Sequence, residues 1–391
     1  MMKNDIEDNK MTTFPWSTDL NETFITALPW NLSNKSEESN NTPEDDGAYI
    51  PYQLRPETYI VPLVFAIVFF VGLIGNGTLV LIFIRNRFMR SIPNTYIMSL
   101  AIGDFLVIVG TVPFISTIYT FDSWPYGTFM CKLSEFLKDL SSGVTVLTLT
   151  LLSIDRYIAI VKPLHKLTGH GGKTFTVVLV VIAWIIAIAI AIPGAHYSYL
   201  WEVPLYPDHV IYVCYPFPED MKPWYPQTMV LVKFLLLYTV PLSLIAVFYA
   251  LMARYLFSAS RDSFGTNDSH IQKRRGRTKV AKIVLVFVIL FAVCFFPSHV
   301  FMMWFYFHPN ALDNYSTFWH AWKILGYILT FFNSCLNPIA LYFISGVFRL
   351  QYKKYLLCRK KKPKKNYLST FKTLPSSSNR STVRTALVSK M

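Results

Sequence analysis

Apolar runs alternate with short polar stretches along most of this chain. Four runs are nearly unbroken, at 59–84, 175–193, 229–251 and 280–296, and three more, at 95–118, 131–161 and 318–344, carry a few polar interruptions. A helix needs about 20 mostly apolar residues to cross a hydrocarbon core of ~30 Å, and each run supplies them. Leu, Ile, Val and Phe fall on every face, so no polar stripe marks a side turned to water. A single run of this kind can be a buried core helix; seven in succession cannot. The pattern predicts an all-α membrane protein, a seven-transmembrane helix bundle over 59–344, preceded by a polar tail over 1–58 and followed by segments 345–358 and 359–391.

Composition agrees, and charge orients the bundle. Of 391 residues, 53% are hydrophobic and only 15% charged, where soluble chains carry about 25% charge. That excludes an ordinary soluble enzyme and a disordered scaffold. The net charge of +14 invites a nucleic-acid partner until its distribution is read. Residues 1–58, with the loops around Asp122, 201–226 and Asp313, hold 5 basic and 17 acidic groups; the opposite loops and the tail from Ser345 hold 28 basic and 3 acidic. An excess of Lys and Arg marks the cytoplasmic side. The sequence therefore predicts an amino terminus outside, a carboxyl terminus inside and an odd number of spans, in a multi-pass plasma-membrane protein with no nucleic-acid partner. Residues 1–58 hold no apolar core of a cleaved signal peptide, so the first span is expected to act as its own insertion signal.

The flanking segments carry modification signals. Acceptor sequences at Asn21, Asn31, Asn34 and Asn40 in the tail, and at Asn314 in the last outer loop, predict a glycoprotein. Cys131 opens the third span at its outer end and Cys214 lies in the second outer loop. Both face an oxidising compartment, where one bridge between them would pin that loop over the bundle. Cys294 and Cys335 fall within spans and read as small buried hydrophobes, whereas Cys358, among basic residues, reads as a palmitoylation site. Phe348, Tyr352, Tyr355 and Leu356 recur at helical spacing with Arg349, Lys353 and Lys354 between them. That predicts a short amphipathic helix lying on the inner leaflet of the lipid bilayer. The basic stretch 359–365 would attract anionic lipid.

Ionisable groups within spans cost roughly 2.5–3.5 kcal/mol to insert and mark function by default. Asp104 stands near the middle of the second span, Lys233 near the outer end of the fifth, and Lys323 near the start of the seventh. Glu135, Lys138 and Asp139 share one helical face at the outer end of the third. Two readings stand side by side: a local ion pair at a wet helix end with Lys233 reaching to the interface, or an outward-facing polar cavity for a charged extracellular ligand. At the inner end of the third span lies Asp155-Arg156-Tyr157, followed by Pro163; Pro241, Pro297 and Asn337-Pro338 interrupt the fifth, sixth and seventh spans. Each proline frees a backbone carbonyl inside the membrane, which describes a bundle built to change shape.

These residues resemble the rhodopsin-like G-protein-coupled receptors over roughly 58–358. The resemblance rests on Gly75-Asn76, the Ser-Leu-Ala-x-x-Asp sequence ending at Asp104, Trp124, Cys131, Asp155-Arg156-Tyr157, Trp184, Pro241, Tyr249, Pro297 and Asn337-Pro338, with 25 residues from Cys131 to Arg156. Arg-Pro-Glu-Thr-Tyr at 55–59, Trp-Pro-Tyr-Gly at 124–127 and Asn-Ser-Cys-Leu-Asn-Pro-Ile-Ala-Leu-Tyr at 333–342 look like the bombesin and endothelin receptor group. Within that group these residues look most like invertebrate CCHamide-type neuropeptide receptors. The resemblance implies a short amidated peptide ligand held among Glu135, Lys138, Asp139, Lys233, His299 and Lys323, with another bombesin- or endothelin-like peptide as the alternative. It also implies that the sixth span swings about Pro297, with Phe295 as rotamer switch and Tyr249 nearby, freeing Arg156 to meet a heterotrimeric G protein. Asp104, Thr145, Asn333, Ser334 and Asn337 resemble the family's sodium site, an anion ringed by neutral oxygens that suits a hard cation. From Ser369 onward ten Ser or Thr residues accompany no acid, and their phosphorylation by a receptor kinase would give the anionic tail that arrestin-type partners recognise.

The chain also departs from the family pattern. Phe295 stands where many relatives have Trp, and Leu341 where the family usually has Tyr; Tyr342 comes one residue late, about 100° round the helix, so a water-bridged contact with Tyr249 is not expected. Arg277 replaces an acid that some members carry, which leaves Asp155 as the expected resting partner of Arg156. Lys138 occupies the position of the aminergic carboxylate and argues against amine ligands. A transporter or channel would carry internal repeats or discontinuous spans, and neither is seen. No HExxH, Gly-x-Ser-x-Gly or Cys-x-x-Cys occurs, so enzymatic chemistry and a cofactor other than the sodium ion are not expected.

Overall fold

Seven helices long and apolar enough to cross a bilayer follow one another along the chain. The computed structural model describes residues 54–121, 123–161, 171–206, 209–218, 224–261, 268–311 and 313–356. Its elements are α1 (Glu57–Arg85), α2 (Ile92–Gly110), α3 (Gly127–Val161), α4 (Gly171–Tyr197), the strands β1 (Tyr199–Tyr206) and β2 (His209–Tyr215), and α5, made of Trp224–Phe234, a π-helical turn Leu235–Thr239 and Val240–Arg261. They are followed by α6 (Asp268–Phe307), α7 (Thr317–Ile344) and the short α8 (Gly346–Leu356).

The helices run longer than the apolar runs that announce them. The sixth run covers 280–296, yet α6 has 40 residues, because a helix continues past the hydrocarbon wherever its turns keep their own hydrogen bonds. Local breaks follow the prolines. Pro113 ends α2 in a short helical turn, Val112–Ile115, and a 3-10 turn, Ser116–Tyr119, since proline has no N–H to give. In α5 the π turn stands immediately before Pro241, as expected where a ladder hydrogen bond is lost.

α3 sits at the centre and packs against α2, α4, α5 and α6. Leu149 and Leu152 on α3, Leu79 on α1, Phe287 and Phe291 on α6 and Leu341 on α7 are all buried in one core. α4 turns Val178, Val181, Ile185 and Ile192 outward, a surface that only lipid or another apolar face can cover.

The short helix forms where the sequence predicts it, and the bundle covers part of its apolar face. Phe348 and Tyr352 do not face a membrane surface; they are 4% and 3% exposed, inside the bundle core. Tyr352 Oη donates to the Gly75 carbonyl at 3.2 Å, and Asn86 Nδ2 donates to Tyr355 Oη at 3.1 Å. The corner between α7 and α8 is a single extended residue, Ser345, too short to carry α8 away from α1. Burial raises the Tyr352 phenol above its ordinary pKa. Leu350 and Leu356 remain exposed. Cys358 and the basic stretch after it lie outside the described residues.

Candidate functional site

At the Cys131 end of the bundle a cavity of about 390 Å³ opens between α3, α5, α6 and α7. Its cover is the β1–β2 hairpin, which the hydropathy reading missed; the alternation that buries Val203 and Ile211 on one face was its signal. Three ties fasten the hairpin. Cys131 and Cys214 are bridged, with Cα atoms 5.5 Å apart, the Trp124 N–H donates to the Tyr212 carbonyl at 2.8 Å, and the Tyr212 N–H donates to Ser123 Oγ at 2.9 Å. Tyr215 and Phe217 of this cover line the cavity. Burial raises the Tyr215 phenol, opposed by a hydrogen bond with Tyr306, so it stands there as a neutral polar group.

The charged face of α3 is paired in two directions. Lys138 Nζ donates to Glu135 Oε1 and Oε2, each at 2.6 Å. Lys233 of α5 reaches across to Asp139 Oδ2 at 2.7 Å. Both readings of these residues therefore meet in one place: they are ion-paired, and all four line the cavity. Gly194 of α4 makes room for this arrangement, since a Cβ there would lie 2.9 Å from Asp139 Oδ2.

Lys323 of α7 also lines the cavity, with Nζ 5.9 Å from the centre of the Phe301 ring. His299 lies one turn from Phe295 among Tyr238, Phe234 and Phe295, its ring 4.7 Å from that of Tyr238. The sequence reading did not single out Arg55, Glu57 or His320. Arg55 and Glu57 line the mouth, and Glu57 Oε1 lies 3.7 Å from His320 Nε2, joining α1 to α7. Arg55 and Glu57 stood in the Arg-Pro-Glu-Thr-Tyr motif without a place in the site, and the signal for His320 was helical spacing, since it stands three residues before Lys323.

Beneath the cavity the helices are interrupted. Pro297 lies inside α6, where it removes a ladder hydrogen bond, and Phe295 stacks on Phe291 at 4.4 Å. Asp104 is fully buried and accepts a hydrogen bond from Asn337 Nδ2 at 2.8 Å through Oδ2. Asp104 Oδ1 and Thr145 Oγ1 have no hydrogen-bond partner among the described residues, and Asn333 and Ser334 are buried on α7. An unsatisfied carboxylate oxygen, with the unsatisfied Thr145 hydroxyl and the neutral side chains of Asn333 and Ser334, is a donor set that fits a small hard cation. Asn76 Nδ2 donates to the Ser334 carbonyl at 2.8 Å, tying α1 to α7 just above Asn337 and Pro338.

At the Arg156 end, the Arg156 guanidinium donates through Nε and Nη2 to Asp155 Oδ2. Tyr157 packs on Phe248 at 5.4 Å. Tyr249 Oη donates to the Ala281 carbonyl at 2.8 Å, joining α5 to α6. Leu341 is fully buried, and Tyr342 turns to the ring of Tyr352 at 6.2 Å. Asn314 is exposed, its Nδ2 donating to the Asn310 carbonyl. Pro163, Asn21, Asn31, Asn34 and Asn40 lie outside the described residues, as does the side chain of Arg277.

Known proteins match this arrangement. The family model of the seven-transmembrane receptors of the rhodopsin family matches residues 75–342. The Neuropeptide CCHamide-1 receptor of Drosophila melanogaster is 48% identical over 340 residues, covering 85% of this chain and 68% of its own. The [Phe13]-bombesin receptor of Bombina orientalis is 37% identical over 78% of each chain, and the bombesin receptor subtype-3 of Ovis aries is 32% identical over 88% of this chain and 84% of its own. A family model across nearly the whole bundle and a 48% identical receptor make the conclusion plain: this chain belongs to the rhodopsin family of seven-transmembrane receptors, signalling proteins rather than enzymes.

Proposed function

We propose that this receptor binds a short amidated neuropeptide of the CCHamide type in the cavity at its Cys131 end and passes the signal to a heterotrimeric G protein at its Arg156 end. The cavity is the observation that carries the reading. It combines two lysine–carboxylate pairs with Lys323, a cation that has no acidic partner among the described residues. Such a wall suits a ligand with both charged and amide groups, and Lys138 at the amine-receptor position disfavours a monoamine. The choice of peptide is supported by the likeness to a CCHamide-1 receptor, which exceeds that to the bombesin receptors.

In this reading the Cys131 end faces outside, with the glycosylated tail 1–58, and the Arg156 end faces the cytoplasm of a cell bounded by this plasma membrane. Peptide binding acts only through its greater affinity for the open arrangement of α6. Opening breaks the Tyr249–Ala281 hydrogen bond and frees Arg156 from Asp155. Asp104, Thr145, Asn333, Ser334 and Asn337 would hold a sodium ion, which would compensate the buried carboxylate and favour the closed arrangement. Palmitate on Cys358, and kinase and arrestin action on the tail from Ser369, complete the regulation.

The test is to express the full chain in cells and apply CCHamide-1, bombesin and monoamines, reading calcium and cAMP. Response to CCHamide-1 at concentrations well below those of bombesin is expected. A response to monoamines with none to peptides overturns the ligand class. Unchanged peptide potency in both Lys138→Ala and Lys233→Ala, at equal surface expression, overturns the site.

A further inference from the structure

α6 and α7 are fastened to each other at Pro297 itself. Trp322 Nε1 on α7 donates to the Pro297 carbonyl at 3.0 Å. One turn along α7, Gly326 is buried against the same point. A Cβ there would lie 2.8 Å from Ser298 N, 3.0 Å from Ser298 Cα and 3.1 Å from the Pro297 carbonyl carbon. These are backbone atoms, which cannot rotate aside as a side chain can. Toward the Cys131 end the two helices stay joined, because Trp304 and Trp319 stack at 3.9 Å with 10° between their planes.

The position of this fastening matters more than its strength. Pro297 cannot donate to the carbonyl four residues before it, so α6 can change direction there at low cost. The segment on the Cys131 side of Pro297 is bound to α7. On the other side, Ala292 accepts the Tyr238 hydroxyl and Ala281 accepts the Tyr249 hydroxyl, both from α5. The half of α6 on the Cys131 side is thus hydrogen-bonded to α7 at the pivot. It is also bonded to α5 near its end, where Gln227 Nε2 donates to the Tyr306 carbonyl at 2.9 Å. On the other side of the pivot the two hydrogen bonds just named run to α5. Lys323 lies between Trp322 and Gly326 in sequence and lines the cavity, so an occupant that displaces α7 acts within one residue of the fastening.

We propose that Trp322 and Gly326 are positioning residues that join the α7 wall of the cavity and the adjoining half of α6 into one lever pivoting at Pro297. Neither residue needs to touch the ligand. The inference rests on the reading that cavity occupancy drives α6, and not on which peptide does so.

The test compares the full-length parent with Trp322→Phe and Gly326→Ala at matched surface expression. Phe keeps an aromatic ring against Phe318 and removes the indole N–H together with part of the bicyclic ring; Ala forces the helices apart. Binding of labelled CCHamide-1 and nucleotide exchange on a G protein, basal and at saturating peptide, are measured in the same membranes. The expected result for Trp322→Phe is a Kd within twofold of the parent, basal exchange raised at least twofold, and a stimulated-to-basal ratio reduced at least threefold. A loose junction leaks at rest and transmits poorly when driven. An unchanged ratio overturns the proposal. So does a loss of affinity that accounts for the whole loss of response, because that makes Trp322 a wall of the ligand site. If Gly326→Ala does not reach the surface, Trp322→Phe still decides. If CCHamide-1 does not bind the parent, the peptide assignment fails alone and basal exchange decides the lever: a rise of at least twofold supports it, and no change overturns it.

Discussion

Replacing Lys233 by Met isolates the ion pair that crosses from α5 to α3. Its Nζ lies 2.7 Å from Asp139 Oδ2, and the two side chains are 20% and 9% exposed. Breaking a fully buried pair costs about 3–5 kcal/mol because a charge is left without compensation, and an exposed pair is worth about 0–1 kcal/mol. This pair lies between those limits, so either Lys233→Met or Asp139→Asn alone is expected to cost about 2 kcal/mol. Together they remove both charges and leave a polar amide beside an apolar chain, at a cost of about 1 kcal/mol. The coupling is then about 3 kcal/mol. Thermal denaturation of the detergent-solubilised receptor reads this directly. At about 2 °C per kcal/mol for a chain of this size, each single variant falls by about 4 °C and the double variant by about 2 °C. If the double variant falls by the sum of the singles, about 8 °C, the two groups do not compensate one another and the reasoning fails.

Further outcomes follow from neighbouring contacts. Gly194→Val puts a Cβ 2.9 Å from Asp139 Oδ2 and crowds it, and is expected to lower the thermal midpoint as Lys233→Met does, with a smaller additional loss when Asp139→Ala has already cleared the space. Tyr249→Phe removes the hydrogen bond to the Ala281 carbonyl; at about 1 kcal/mol it is expected to raise ligand-independent nucleotide exchange about fivefold, and an unchanged basal rate would count against a tie at that place. Cys131→Ser opens a loop closed across 83 residues, which costs about 4 kcal/mol and is expected to reduce folded receptor at the surface, measured by conformation-dependent ligand binding. Replacing sodium by choline in the medium is expected to raise agonist affinity of the parent and leave Asp104→Asn unaffected; equal sensitivity in both removes the ion from the account.

The transmembrane architecture was readable because each span needs an unbroken apolar run, and hydropathy registers such runs directly. Helix ends were less readable, since the first turns of α6, from Asp268 to Lys279, are mostly polar and lie outside any apolar constraint. The hairpin escaped notice because its strands carry aromatic residues on both faces and alternate only weakly. Asp104, Lys138, Lys233 and Lys323 were visible as charges in apolar surroundings, but their partners were not. Lys138 turns to Glu135 on its own helix whereas Lys233 turns to Asp139 94 residues away, a choice made by the approach of α5 to α3. Trp322 gave no signal, because an aromatic residue near the end of a span is ordinary, and its hydrogen bond to Pro297 exists only once α6 and α7 are side by side. Phe348 and Tyr352 were recognised as an apolar face, yet periodicity does not say whether lipid or protein covers it.

The Asp155–Arg156 contact joins neighbours on one helix, and so does nothing to hold two helices together. Among the described residues, the neutral hydrogen bond from Tyr249 to the Ala281 carbonyl joins α5 to the Arg156 end of α6, where Met252 and Ala281 share a buried apolar cluster. Mobile ions weaken attractions between charges and leave a neutral hydrogen bond between uncharged groups almost untouched. The junction of α5 with α6 is therefore buffered against ionic strength, whereas the Asp155–Arg156 pair, which opening must also release, is the part of the resting state that salt can reach.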